Sequence, residues 1–157
     1  MLKIKNVSAK NFMSVGNNTQ AVNFDGCQLT LVLGHNLDMG GDGSRNGTGK
    51  TTIINALSYA LYGDALTNIR KDNLINKTNG KGMIVTVDFE IQGVQYRIER
   101  GRRPNILKFF IDGEDSLDQE QQGDSRETQK EIEKIIGFPH YMFKHLIALN
   151  TYTEPFL

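Results

Sequence analysis

Met83, Val85, Val87, Phe89 and Ile91 fall on alternate positions, with Thr86, Asp88 and Glu90 between them. A period of two belongs to a strand with one face on a core and the other in water. Gly93 interrupts the pattern, Val94, Tyr96 and Ile98 resume it, and Ile106 to Ile111 form a third run closed by Asp112-Gly113. Together they predict an antiparallel meander. Nearer the N-terminus, Leu2, Ile4, Val7 and Ala9 sit among polar residues, and Val22 and Phe24 repeat the alternation after Gly16-Asn17-Asn18. This predicts a further strand pair. Gln28 to Leu33 (QLTLVL) is almost continuously β-branched or aliphatic, the pattern of a strand buried on both faces.

At Lys50 the period changes. Ile53, Ile54, Leu57, Ala60 and Leu61 recur at helical spacing, with Tyr62-Gly63 as the stop. Arg126 to Ile136 predicts an amphipathic helix with Ile132, Ile135 and Ile136 on its apolar face and Gly137 at its end. Pro139 to Leu149 predicts another, opened by proline. Ser116 to Gly123 reads as a loop.

Composition narrows the class. Hydrophobic residues are 38% of the 157, enough for one core. Lys plus Arg and Asp plus Glu each number 18, so any nucleic-acid contact must come from a local patch. The single Cys27 excludes an internal disulfide and fits a reducing compartment. The N-terminus has no continuous apolar stretch and no run approaches a membrane span, so a soluble, cytoplasmic chain is expected.

The chemistry concentrates in Asn46-Gly47-Thr48-Gly49-Lys50-Thr51-Thr52. An expected buried strand, a Gly-rich loop and then an amphipathic helix is the setting of a phosphate loop. Gly47 and Gly49 allow backbone angles that turn successive N–H groups inward as an anion nest. The helix beginning near Lys50 aims its positive end at the same point. Lys50, the candidate catalytic residue, would face the β- and γ-phosphates, Thr51 would take one Mg²⁺ position, and Thr52 would donate a further phosphate contact. A plain Gly-rich turn before an ordinary helix is the alternative. It leaves lysine without a reason to stand in a first turn, where the dipole disfavours a cation.

The loop departs from the strict pattern, which wants glycine where Ser44 stands. Gly34 would then be the first glycine and Leu37 to Arg45 an insertion, either a flap over the nucleotide or a bulge into solvent. Asp38 and Asp42 within it are remote candidates for Mg²⁺. A guanine reader is missing, since Asn76-Lys77-Thr78-Asn79 lacks its aspartate. No four-residue apolar strand ends in Asp-Glu to supply a second Mg²⁺ ligand and activate water. The chain is expected to hold nucleotide without the groups that cleave it.

The segments Asn-Phe-Met-Ser-Val-Gly (11–16), Asn-Gly-Thr-Gly-Lys-Thr-Thr (46–52) and Leu-Tyr-Gly (61–63), in this order around a meander, resemble the SMC-like, ABC-class DNA double-strand-break repair ATPases. Within that class they are most similar to the SbcC group, which takes in phage recombination-endonuclease ATPases. The resemblance implies an α/β P-loop NTPase fold: an ABC-type head lobe with a mixed sheet and an antiparallel β-meander. Residues 1–157 would be the N-terminal lobe, with a coiled coil and C-terminal lobe outside them. It further implies ATP and Mg²⁺ as cofactors, a second head that closes on ATP, a partner phosphodiesterase nuclease, and DNA ends as substrate. A phage-encoded member would work in the host cytoplasm. Family members place a glutamine after the last helix to reach Mg²⁺ and the γ-phosphate. Here Asn150 or Thr151 is the candidate stand-in, and Met13 replaces the basic residue that often follows Asn-Phe.

Arg97, Arg100, Arg102, Arg103 and Lys108 form a second candidate site, for DNA phosphates. Arg97 is expected on the solvent face and the other arginines in the turn; a solvated strand face paired with Glu99 is the ordinary alternative. His35, His140 and His145 do not make a metal set with Cys27, because five residues separate the helical pair. Two other functions fit the same sequence: a stand-alone nucleotide-binding module that never hydrolyses, and a RecF-like, cohesin-like or transporter ATPase head.

Overall fold

A computed structural model describes residues 1–26, 28–35, 49–116 and 125–148. Six strands make one sheet: β1 (Leu2–Lys10), β2 (Gln20–Asn23), β3 (Met83–Ile91), β4 (Val94–Arg102), β5 (Ile106–Ile111) and β6 (Glu114–Asp115). Their spatial order is β2-β1-β3-β4-β5-β6, and every pairing is antiparallel. Helix α1 (Lys50–Tyr62) packs on the sheet, α2 (Ser125–Ile136) packs against α1, and α3 (His140–Met142) runs on into a π-helical turn, Phe143–Ile147.

The alternation in β3 sets the core. Met83, Val85, Val87 and Phe89 are at most 1% exposed, while Ile84, Thr86, Asp88 and Glu90 are half-buried on the other face. Each such buried side chain contributes roughly 1.5–3 kcal/mol. Across the sheet, Val87 lies opposite Val7 on β1 and Ile98 on β4, and Ile98 opposite Phe109 on β5. Ala56, Tyr59, Ala60 and Leu61 from α1 and Ile132 and Ile136 from α2 cover this face.

The N-terminal strand pair, the meander and the helices at 50–62 and 126–136 form as expected. The expected strand over 28–33 does not: no strand is formed there, and Leu29 and Leu31 are 92% and 80% exposed. A doubly buried strand needs a neighbour on each side, and the described residues offer this run none. The parallel component of the expected mixed sheet is therefore not found among them. The last expected helix is short, because the chain widens into the π-turn at Phe143.

Candidate nucleotide site

Helix α1 starts at Gly49, whose φ of 87° is left-handed, and its first closing bond is Ile53 N–H to Gly49 O at 3.3 Å. Lys50, Thr51 and Thr52 form the first turn, which holds no acidic side chain. Its N–H groups have no intrahelical acceptor. Thr51 is exposed, Lys50 half-buried and Thr52 buried. Asn55, 2% exposed, ties this turn down by donating to Thr51 O at 3.1 Å and accepting from Leu66 N–H at 3.0 Å. Asn46, Gly47, Thr48 and the Leu37–Arg45 insertion lie outside the described residues, as do Asn150, Thr151 and Cys27.

A cavity of about 510 Å³ opens between this turn and the β1–β2 pair, lined by Val7, Val22, Ile53, Ser14, Gly49 and Thr52 among others. Its size and its mix of aliphatic walls with a few hydroxyls fit a small-molecule ligand. An anion fits where the N-terminus of α1, at Gly49 and Thr52, meets the cavity wall. Thr51, exposed on the same turn, fits an oxygen ligand of Mg²⁺.

The far wall is the strap from Asn11 to Gly16. Asn11 and Met13 have φ of 50° and 51°, a region costing about 1–3 kcal/mol for a residue other than glycine. Side-chain amides hold it in place. Asn79 Nδ2 donates to Asn11 Oδ1 at 2.7 Å, Asn11 Nδ2 donates to Gly82 O at 3.3 Å, and Asn76 Nδ2 donates to Met13 O at 3.0 Å. Met13 N–H donates to Leu74 O at 2.7 Å, and Phe12, with no exposure, anchors the strap beside Tyr59 at 5.9 Å between rings. At its apex Ser14 Oγ lies 3.2 Å from Thr52 Oγ1. Sequence reasoning gave Ser14 and Asn11 no role. The available signal was an asparagine, tolerant of left-handed φ, directly after a strand.

Of the basic candidates, Arg102 and Arg103 come together at the rim, both within ion-pair reach of Asp72 at 2.6 and 3.9 Å. The Arg102 hydrogen bond holds the Asp72 carboxyl below its ordinary value. Arg97 is on the outer face, paired with Asp88 at 2.6 Å, and Lys108 is exposed opposite Glu99. Arg100 is not in the turn. It lies inside β4 and points its guanidinium under α1, donating to Ala60 O at 3.1 Å and to Gln129 Oε1. Gln129 in turn donates to Leu61 O at 3.1 Å. Burial pushes Arg100 down to about 10. It serves as a cap for the C-terminal end of α1, where the dipole favours a cation. On the rim, exposed Lys81 lies beside Arg103, since Gly82 N–H donates to Arg103 O at 2.8 Å.

His140 bonds Ser58 Oγ through Nε2 at 2.8 Å and stacks on Tyr62 at 4.9 Å between rings. Because Ser58 gives its proton to Asp64 O at 2.7 Å, Nε2 of His140 is the donor. Burial, then Lys144, lowers the His140 pKa. Among the described residues no group of three His, Cys, Asp or Glu side chains is placed to hold a metal, and no helix is long and apolar enough to cross a membrane.

The α/β fold and the left-handed turn at Gly49 before α1 fit the P-loop NTPase class, and comparison with known proteins agrees. A family model described as AAA domain (AAA_23) matches residues 6–151, and the chain belongs to that family. It is homologous to exonuclease subunit 2 of Escherichia phage RB69 and of Enterobacteria phage T4, each 34% identical over 149 residues, 95% of this chain and 24% of the relative. It is also homologous to a DNA double-strand break repair Rad50 ATPase of Methanococcus maripaludis, at 28% identity over 94% of this chain and 13% of that protein. The chain thus spans about a quarter of the length of its phage relatives. A solved structure from work on ATP-driven dimerization and DNA-stimulated activation of SMC ATPases superposes with a TM-score of 0.57 at 18% identity, covering 97% of this chain and 92% of that one. That likeness is one of fold.

Proposed function

We propose that this chain is the ATP-binding lobe of a DNA repair and recombination ATPase that regulates a partner nuclease at DNA ends. The observation that carries the reading is the start of α1 at left-handed Gly49, with Lys50, Thr51 and Thr52 in one turn that meets the cavity through Gly49 and Thr52. Asn46 to Thr52 would cradle the phosphates through backbone N–H groups, with the Lys50 ammonium against the β- and γ-phosphates. Thr51 would take one position on Mg²⁺, which would neutralise phosphate charge when bound. Asn150 or Thr151 would take the role of the family glutamine toward the γ-phosphate. Val7, Val22 and Ile53 line the aliphatic part of the cavity and keep water from the less polar end of the nucleotide.

Hydrolysis then requires acidic groups from a C-terminal lobe and a second head. The exposed run Leu29 to Leu33 supports such a lobe, since leucines left in solvent at alternate positions offer an apolar surface for another segment to cover. The names of the phage relatives support a nuclease partner. The basic rim around Arg103, with Arg102 beside it and Arg97 and Lys108 on the outer face, supports contact with DNA phosphates. The host cytoplasm is where such a complex works.

The test is ATP turnover by the full-length protein over a range of head concentrations. Turnover per head that rises with concentration, and is lost in Lys50→Ala, is expected. Turnover by residues 1–157 alone at the full-length rate would contradict the requirement for a second lobe.

A further inference from the structure

We infer that Ser14 is a positioning residue for nucleotide binding, acting through Thr52: the Ser14 hydroxyl donates to Thr52 Oγ1, and that bond commits the Thr52 proton to a phosphate oxygen. The inference rests on the phosphate-loop reading above and adds a residue from outside the loop to its machinery.

Proton counting distinguishes the two directions of this bond. Each hydroxyl has one proton and two lone pairs, and at 3.2 Å one proton lies between the two oxygens. If Thr52 supplied it, Thr52 would meet an anion with lone pairs only. If Ser14 supplies it, the Thr52 proton is free for the anion. A phosphate therefore selects the second arrangement, and the two bonds in series polarise each other. Thr52 is buried, in the first turn of α1 and on the cavity wall, so water competes poorly for its proton. Ser14 is exposed, and its spare lone pairs are met by solvent.

The fold holds Ser14 in place at a cost, and this supports a role beyond simple chain reversal. The strap that carries it passes through two left-handed non-glycine residues, Asn11 and Met13. It is fastened by side-chain amides from Asn76 and Asn79, which lie more than 60 residues away in sequence. Asn11 N–H closes the strap on Gly16 O at 2.8 Å. Strain maintained by surrounding structure is characteristic of groups held for binding. Here the held group is the hydroxyl at the apex.

A double-mutant cycle with Ser14→Ala and Thr52→Val in the full-length protein tests this, with Mg·ADP and Mg·ATP as titrants. Ser14→Ala is expected to weaken both about fivefold, the worth of one ordinary hydrogen bond, while the melting temperature of the unliganded protein stays unchanged. Ser14→Thr, which keeps the hydroxyl, is expected to restore affinity. In the Thr52→Val background Ser14→Ala is expected to change nothing further; Thr52→Ala serves if the valine variant fails to fold. Equal weakening in both backgrounds, or none in either, overturns the inference. Lys50→Ala separates the two levels of the argument. If it leaves binding intact, the phosphate-loop reading falls; if it abolishes binding while the cycle is additive, only the role of Ser14 falls.

Discussion

Gly63 lies against the guanidinium of Arg100, so that a Cβ built on it would stand 3.0 Å from Arg100 Nη1. Gly63 ends α1 with φ of 77° and returns its N–H to Tyr59 O at 2.7 Å. The same arginine caps the carbonyl of Ala60. Gly63→Ala should therefore cost about 2 kcal/mol, from left-handed strain and displacement of the cap. Urea unfolding measures it. A change of less than about 0.5 kcal/mol, usual for an unconstrained surface site, would mean that the arginine does not need this space.

His140 predicts an acid-side loss of stability. Its folded pKa is lowered by burial and by Lys144, so the unfolded chain takes the proton more readily than the fold does. Stability is complete above about pH 6.5, the unfolded value, and falls as pH drops through that value towards the lower folded one. Asp64, Glu133 and Lys144 act on this imidazole, and Ser58 and Tyr62 touch it. His140→Gln should flatten the difference between unfolding midpoints at pH 7.5 and pH 5. An unchanged slope would assign the loss to other groups.

The exposed run at 28–33 makes a prediction with opposite outcomes for two measurements. Leu31→Ser should leave the stability of residues 1–157 within about 0.5 kcal/mol, because Leu31 already faces solvent. It should weaken association with a separately produced C-terminal lobe at least about tenfold, as loss of a buried leucine does. Full destabilisation without a partner would mean that this run packs inside the chain.

At the rim, reversing Lys81 and Arg103 to glutamate should weaken duplex DNA binding and make the dependence of affinity on salt shallower, by about one unit of slope per lost phosphate contact. Arg100→Met should leave that slope unchanged, since its guanidinium is engaged under α1. Fluorescence anisotropy from 50 to 200 mM salt, about the range over which such contacts fade, reads both. An unaltered slope in the double reversal would remove the rim from the DNA reading.

Local periodicity carried most of the fold. Met83 to Ile91 alternates so regularly that its buried face could be named residue by residue, and Gly63 and Gly137 mark helix ends through their left-handed φ. The failure at Gln28 to Leu33 is instructive. A continuous apolar run specifies that something should cover it, but not that the cover is in the same chain segment. Arg100 could not be placed because Arg-Gly-Arg-Arg reads as a turn, whereas Gly101 keeps β4 extended between Met83 and Ile106 with contacts too close for a side chain. The phosphate-loop motif could be proposed from the sequence because its chemistry is local. The strap was not: the bonds that hold Asn11 and Ser14 come from residues 76, 79 and 52, and no spacing in the sequence announces them.

The most direct test of the account is titration of the full-length protein with Mg·ATP, side by side with Lys50→Ala, by calorimetry. Saturable binding by the wild type, with none measurable for the variant while its melting temperature holds, is the predicted result. Binding of unchanged strength by Lys50→Ala would contradict the claim that the turn from Gly49 to Thr52 holds the phosphates.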